Sequence, residues 1–242
     1  MRRKQGPIMI EIIAFDGDDT LWHEAPLFQS SVTKFKELLE GYHESDSIHQ
    51  ILSDKAVSNL KYFGYGVKGF TLSLIETALD VTEDRIPASR IRDIVELGKE
   101  MMSSPIDLVD GAKETIYLLS RRYRMILLTK GDLFHQEAKV ARSGLGDYFH
   151  QLEIVAKKDD HMYQRILKKY GICADQFLMV GNSVPSDILP ALEVGSYAAH
   201  IPYHLEWVHE KVQDEKRIKL LEHKRYFLLD SIRLLPELLN QI

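Results

Sequence analysis

The 242 residues carry 31 lysines and arginines against 36 acids, a net charge of −5, with 45% hydrophobic and 28% charged positions. That is enough apolar material for a packed core, and the mild acidity argues against a nucleic-acid or membrane-surface binder. The single cysteine, Cys173, excludes an internal disulfide framework or a multi-cysteine metal site within one chain, and reads as a buried, inert thiol.

Met1-Arg2-Arg3-Lys4 imitates the charged head of a secretion signal, but the apolar stretch behind it is short, contains Glu11 and shows no small-residue cleavage site. No later run approaches the ~20 apolar residues of a membrane span, so a cytoplasmic protein is expected. Residues 8–15 are nearly all apolar, the pattern of a strand covered on both faces. Similar short runs recur at 125–128, 152–156, 177–180 and 197–201, separated by helical stretches at 111–121, 133–142, 160–170 and 186–194. This alternation predicts an α/β fold of βαβ units, a parallel sheet flanked by helices.

Between the first strand and the rest, Phe28, Val32, Phe35 and Leu39 follow helical spacing, as do Phe70, Leu74 and Ala78 and then Ile91, Val95, Gly98 and Met102. The prediction is an inserted helical domain over 25–104 and an α/β core from 1–24 and 105–242. Pro26, Pro105 and Gly111 mark the hinges. Tyr62, Phe63, Tyr65 and Phe70 either line a substrate pocket or fill the insertion's own core. The charged segment 204–224 reads as a solvated helix, 226–229 as a further strand and 231–239 as a short amphipathic helix. His200, His204 and His209 match no zinc spacing and read as surface or loop histidines.

Ligands of open parallel sheets collect at the carboxyl ends of strands. The first strand delivers Asp16 there, with Asp18 two residues on and Thr20 four on; Asp19 falls between and reads as a turn or helix-start carboxylate. Further along, Thr129 closes the run at 124–128, Lys158 follows the run at 152–156, and Asp187 lies beyond 177–180 in Val180-Gly181-Asn182-Ser183-Val184-Pro185-Ser186-Asp187. With Asp-x-Asp-x-Thr and these three elements in this order, the chain resembles the haloacid dehalogenase (HAD) superfamily. Its members have a Rossmann-like core, here with a helical cap.

The resemblance implies a Mg²⁺-dependent phosphatase acting on a small phosphorylated metabolite, without nucleic-acid or membrane partners. Asp16 would be the nucleophile that forms an aspartyl-phosphate, and Asp18 the acid that protonates the leaving group and then the base that activates water. Thr129 and Lys158 would hold phosphate oxygens; Lys130, beside Thr129, reads equally as a substrate contact or a surface lysine. Mg²⁺ would sit on the Asp16 carboxylate, the Asp18 backbone carbonyl and Asp187. Grouping Asp16, Asp18 and Asp187 without a counter-cation would also be costly, since two unit charges 4 Å apart repel by ~4 kcal/mol at an effective dielectric near 20.

The match departs from the family pattern in two places. Asn182 stands where the fourth motif usually has an acid, and as an amide it would position a metal-bound water. Asp159 replaces the usual proline after the lysine, and Lys157 adjoins Lys158; Tyr163, five residues on, favours Lys158. Asp18 points to phosphate chemistry, because dehalogenase members lack an acid there. A phosphomutase would use the same Asp16 and Asp18, and a catalytically idle phosphate-binding protein would keep the same scaffold. A signalling receiver domain fits poorly, because its phosphorylated aspartate lies on a later strand and it has no insertion.

Overall fold

A computed structural model describes residues 10–42, 45–205, 207, 218 and 220–242. Strand β1 (Ile12–Phe15) is wholly buried. Alternation along it sends Ile12 and Ala14 into one apolar cluster, with Ile126, Leu128, Phe177 and Met179. Ile13 and Phe15 enter another, with Met125, Leu127, Leu178 and Val180. A strand covered on both faces has no place for a polar side chain until it ends, and Asp16 is the first.

The remaining strands are β2 (Arg124–Lys130), β3 (Gln151–Val155), β4 (Phe177–Gly181), β5 (Tyr197–His200) and β6 (Tyr226–Leu228). The sheet order is β3-β2-β1-β4-β5-β6. Strand β1 pairs in parallel with both β2 and β4, and the β4–β5 and β5–β6 pairs are parallel too. The chain runs outward from β1 through β2 to β3, then returns to the other side of β1 to lay down β4. The carboxyl ends of β1 and β4 therefore flank the point where strand order reverses, the crevice in which open α/β sheets bind ligands.

Four helices follow β1: α1 (Ala25–Leu38), α2 (Ser45–Phe63), α3 (Val67–Thr82) and α4 (Ala88–Ser103). Helices α5 (Ala112–Ser120), α6 (Leu133–Ser143), α7 (Asp160–Tyr170), α8 (Leu189–Glu193) and α9 (Leu235–Gln241) alternate with or follow the later strands. The chain forms two compact units. Of the described residues, one unit, α/β, takes those up to His23, those of 106–129 and those of 140–242; the other takes those of 24–105 and of 130–139.

The helical unit has its own core, built on Phe35, Leu39, Leu52, Leu74, Ile94 and Leu97. Phe70 packs against that core and pairs with Phe28, ring centroids 4.9 Å apart. Tyr62 and Phe63 do not fill it. They are exposed at the end of α2, where Gly64 turns the chain at φ +70°. Lys139 is buried in this unit and ion-pairs with the buried Glu24 at 3.1 Å.

Two expectations are corrected. Cys173 is exposed, because it caps the surface 3₁₀ turn Ala174–Gln176, its N–H donating to Gln176 Oε1 at 2.9 Å. His200 is buried, because it occupies the inner strand β5 and its ring bonds the Asn182 carbonyl and the Tyr226 hydroxyl. His209, residues 8 and 9 and most of the charged segment 204–224 lie outside the described residues. Among the described residues, no helix is long and apolar enough to cross a membrane.

Candidate active site

Asp16 leaves β1 with its N–H donating to Val180 O on β4 at 2.9 Å, so the strand's last ladder bond places it against the neighbouring motif. The chain then turns sharply. The Gly17 carbonyl accepts from the N–H of Leu21 at 2.8 Å, and Asp19 adopts φ 60°, a left-handed conformation that aspartate tolerates better than most residues. Asp19 is therefore the turn residue. Gly17 has a steric duty, because a Cβ there would stand 2.6 Å from the Trp22 ring.

Lys158 lies just before α7 and is buried. Its ammonium donates to Asp16 Oδ1 at 2.5 Å and to Asp187 Oδ1 at 2.7 Å. Its neighbour Lys157 points outward, 75% exposed, and pairs with Asp159 at 3.4 Å. Asp159 caps α7 by accepting the Met162 N–H at 2.9 Å, and that hydrogen bond holds its carboxyl below the usual range. The residue in the place of the family's proline thus starts the helix that carries Tyr163.

Asp187 is gripped from three directions. Beyond Lys158, its Oδ2 accepts the Ser183 N–H at 3.0 Å inside a single π turn, Val184–Ile188. The Tyr163 hydroxyl donates to the carbonyls of Ser186 and Asp187 at 3.1 and 3.3 Å. Burial, then the charges of Asp187 and Asp16, push the Tyr163 phenol far up, so it acts as a neutral donor. Gly181 makes the approach possible, since a Cβ there would fall 2.3 Å from the Asp187 carboxylate. Thr20 Oγ1 donates to Asn182 Oδ1 at 3.2 Å, linking the first and fourth motifs.

Burial pushes the Asp16 carboxyl up to about 7, against the pull of Lys158 and with the help of Asp187 and Asp18. Burial also works to lower Lys158, but its two carboxylate partners outweigh it and hold the ammonium charged. Asp16, Asp18, Lys158, Asp187, Asn182 and Thr129 all belong to the α/β unit, with Thr129 buried near the end of β2. Lys130 belongs to the helical unit, its ammonium 4.3 Å from the Tyr65 ring centroid.

The family model of the haloacid dehalogenase-like hydrolases matches residues 10–195. The chain belongs to that family. This HAD-like hydrolase superposes on a haloacid dehalogenase-like family hydrolase from Xanthomonas campestris with a TM-score of 0.86 and 35% identity, covering 98% of this chain and 93% of that one. It is 30% identical over 101 residues to the glyceraldehyde 3-phosphate phosphatase of Pyrococcus abyssi, 39% of this chain; the match spans 42% of that relative's length. It is 21% identical over 206 residues to the 5-amino-6-(5-phospho-D-ribitylamino)uracil phosphatase of Escherichia coli K12, 79% of this chain and 83% of that protein.

The donor set of this HAD-like hydrolase fits the Mg²⁺ that the family implies. Asp16 and Asp187 share one ammonium, and the further charge of Asp18 acts on Asp16. Surplus oxygen-borne negative charge favours a hard dication. Among the described residues no group of three or more His, Cys, Asp or Glu forms a metal cage by itself. The side chains would therefore fill only part of the shell, as is usual for Mg²⁺ bound with substrate phosphate and water. No motif in the sequence marks Trp22 or Gly181 as working residues; the one signal for Gly181 is its place immediately before the fourth-motif loop.

Proposed function

We propose that the chain is a cytoplasmic phosphatase that hydrolyses the monoester of a small phosphorylated metabolite through an aspartyl-phosphate on Asp16. The observation that carries this reading is the buried Lys158 ammonium held between Asp16 and Asp187, with a second acid, Asp18, two residues past the first. The curated relatives named above are phosphatases by name, which supports the reaction class. Residues 25–104 are proposed as the cap that restricts substrate size.

In the proposed reaction the Asp16 carboxylate attacks phosphorus and the bond from phosphorus to the ester oxygen breaks. Asp18 gives its proton to the departing oxygen, so an alcohol leaves. It then takes a proton from water as that water attacks the same phosphorus, which releases inorganic phosphate and restores the Asp16 carboxylate. Lys158 and Thr129 offset charge on the transferring group, and Lys130 is proposed to contact the substrate. Asp16, Asp187 and the Asp18 backbone carbonyl would hold Mg²⁺, with Asn182 placing a bound water. When bound, the ion neutralises phosphate charge.

The test is phosphate release from a panel of phosphorylated metabolites with Mg²⁺ and no bisphosphate activator. Asp16→Asn should abolish release while leaving the circular dichroism spectrum intact. Retained turnover in that variant would rule the mechanism out, and dependence on a bisphosphate would favour a mutase.

A further inference from the structure

The Trp22 indole N–H donates to Asp18 Oδ1 at 2.6 Å, and neither the family motif nor the proposed chemistry accounts for that bond. An indole N–H is a donor only. It therefore engages Oδ1 as an acceptor, and Oδ2 is the oxygen better suited to carry a transferable proton.

The donor is rigid. Trp22 is fully buried, and its ring lies so close over Gly17 that even a methyl group there would collide with it. Its carbonyl accepts the Asp19 N–H at 2.7 Å. Trp22 also forms backbone bridges with Asp18 and Leu108, and on either side Val109 N–H donates to Leu21 O at 2.9 Å and His23 N–H to Asp107 O at 2.8 Å. The indole is thus anchored by a separate chain segment, whereas Asp18 is half-buried on a turn. A short hydrogen bond to a carboxylate from a group that cannot move fixes both the position and the rotation of that carboxylate.

We propose that Trp22 is a positioning residue that aims Oδ2 of Asp18 at the leaving oxygen, and so determines whether the enzyme can expel strongly basic alkoxides. The proposal rests on the phosphatase reading above. Proton donation is essential when an alkoxide or phenolate departs, and of little use to 4-nitrophenolate, which leaves as a stable anion. Misplacing the acid therefore penalises substrates according to leaving-group basicity, whereas general damage to the site penalises all of them alike.

The experiment compares kcat/KM for 4-nitrophenyl phosphate, phenyl phosphate and glycerol 1-phosphate in the full-length enzyme with Mg²⁺. This parameter reports only steps up to alcohol release and is blind to the later water attack. Trp22→Phe removes the N–H, and 3-benzothienylalanine at position 22, introduced by nonsense suppression, removes it while keeping the bicyclic shape. A positioned general acid contributes roughly 10²–10⁴-fold. The glycerol phosphate to nitrophenyl phosphate ratio should therefore fall at least about tenfold in both variants, with phenyl phosphate between. Equal losses on all three substrates, no loss, or a fold that collapses with the N–H alone would each overturn the proposal. Failure of the underlying reading looks different, because wild-type enzyme would then release no phosphate or Asp16→Asn would stay active.

Discussion

Replacing Lys158 by methionine removes the ammonium that reaches two buried carboxylates. Asp16 Oδ1 and Asp187 Oδ1 lie 2.5 and 2.7 Å from that nitrogen. They are thus no more than about 5 Å from each other, where two unit charges repel by about 3 kcal/mol at an effective dielectric near 20. Asp16 is already pushed up to about 7 with that repulsion in place and the pull of Lys158 opposing it. Without the ammonium it would stay protonated through neutral pH, and the protein would relieve part of the strain by binding that proton. A carboxyl whose folded pKa exceeds its unfolded value stabilises the fold as pH falls. Urea unfolding of Lys158→Met should therefore show a loss of about 2–3 kcal/mol at pH 8, shrinking towards pH 6. Turnover should fall by at least about 10²–10³-fold. Lys157→Met, at a 75% exposed position, should stay within about 0.5 kcal/mol of wild type and keep its turnover. The reverse ranking of the two variants, or a Lys158→Met protein as stable as wild type at pH 8, would refute the reasoning.

Gly181→Ala places a methyl group 2.3 Å from the Asp187 carboxylate; turnover should drop at least tenfold and urea stability by about 1–3 kcal/mol. Lys139→Met takes away the buried ion-pair partner of Glu24 and should cost about 3 kcal/mol, read by urea unfolding. Because a metal competes with the proton on Asp16, calorimetric Mg²⁺ affinity should be roughly tenfold weaker at pH 6 than at pH 8. Affinity that is flat across that range would contradict Asp16 as a ligand.

Much of the site was legible because strand ends are visible in sequence. Four buried positions in a row end at Asp16, and four wholly apolar positions run up to Gly181 at the fourth-motif loop. The choice between Lys157 and Lys158 was harder. Spacing to Tyr163 favoured the second, but both are identical side chains on adjacent residues, and only the direction in which each leaves the backbone separates a solvated one from a buried one. The packing of 130–139 with the helical unit was hidden for a similar reason, since the sequence shows that this stretch is helical but not what its faces meet. Cys173 and His200 misled because composition speaks of average burial, whereas each position obeys a local demand, a surface cap in one case and an inner strand in the other.

By itself, then, the sequence determined which carboxylates, hydroxyl and lysines stand at strand ends, because the two-residue period and the apolar runs are local properties that residue order encodes directly. Only the tertiary structure decided which lysine is shared between Asp16 and Asp187, and that Gly17 and Gly181 keep room for an indole and a carboxylate. It alone brought the Trp22 N–H onto Asp18. Those outcomes turn on ångström-scale distances between side chains, which are set by strand order and packing rather than by spacing along the chain.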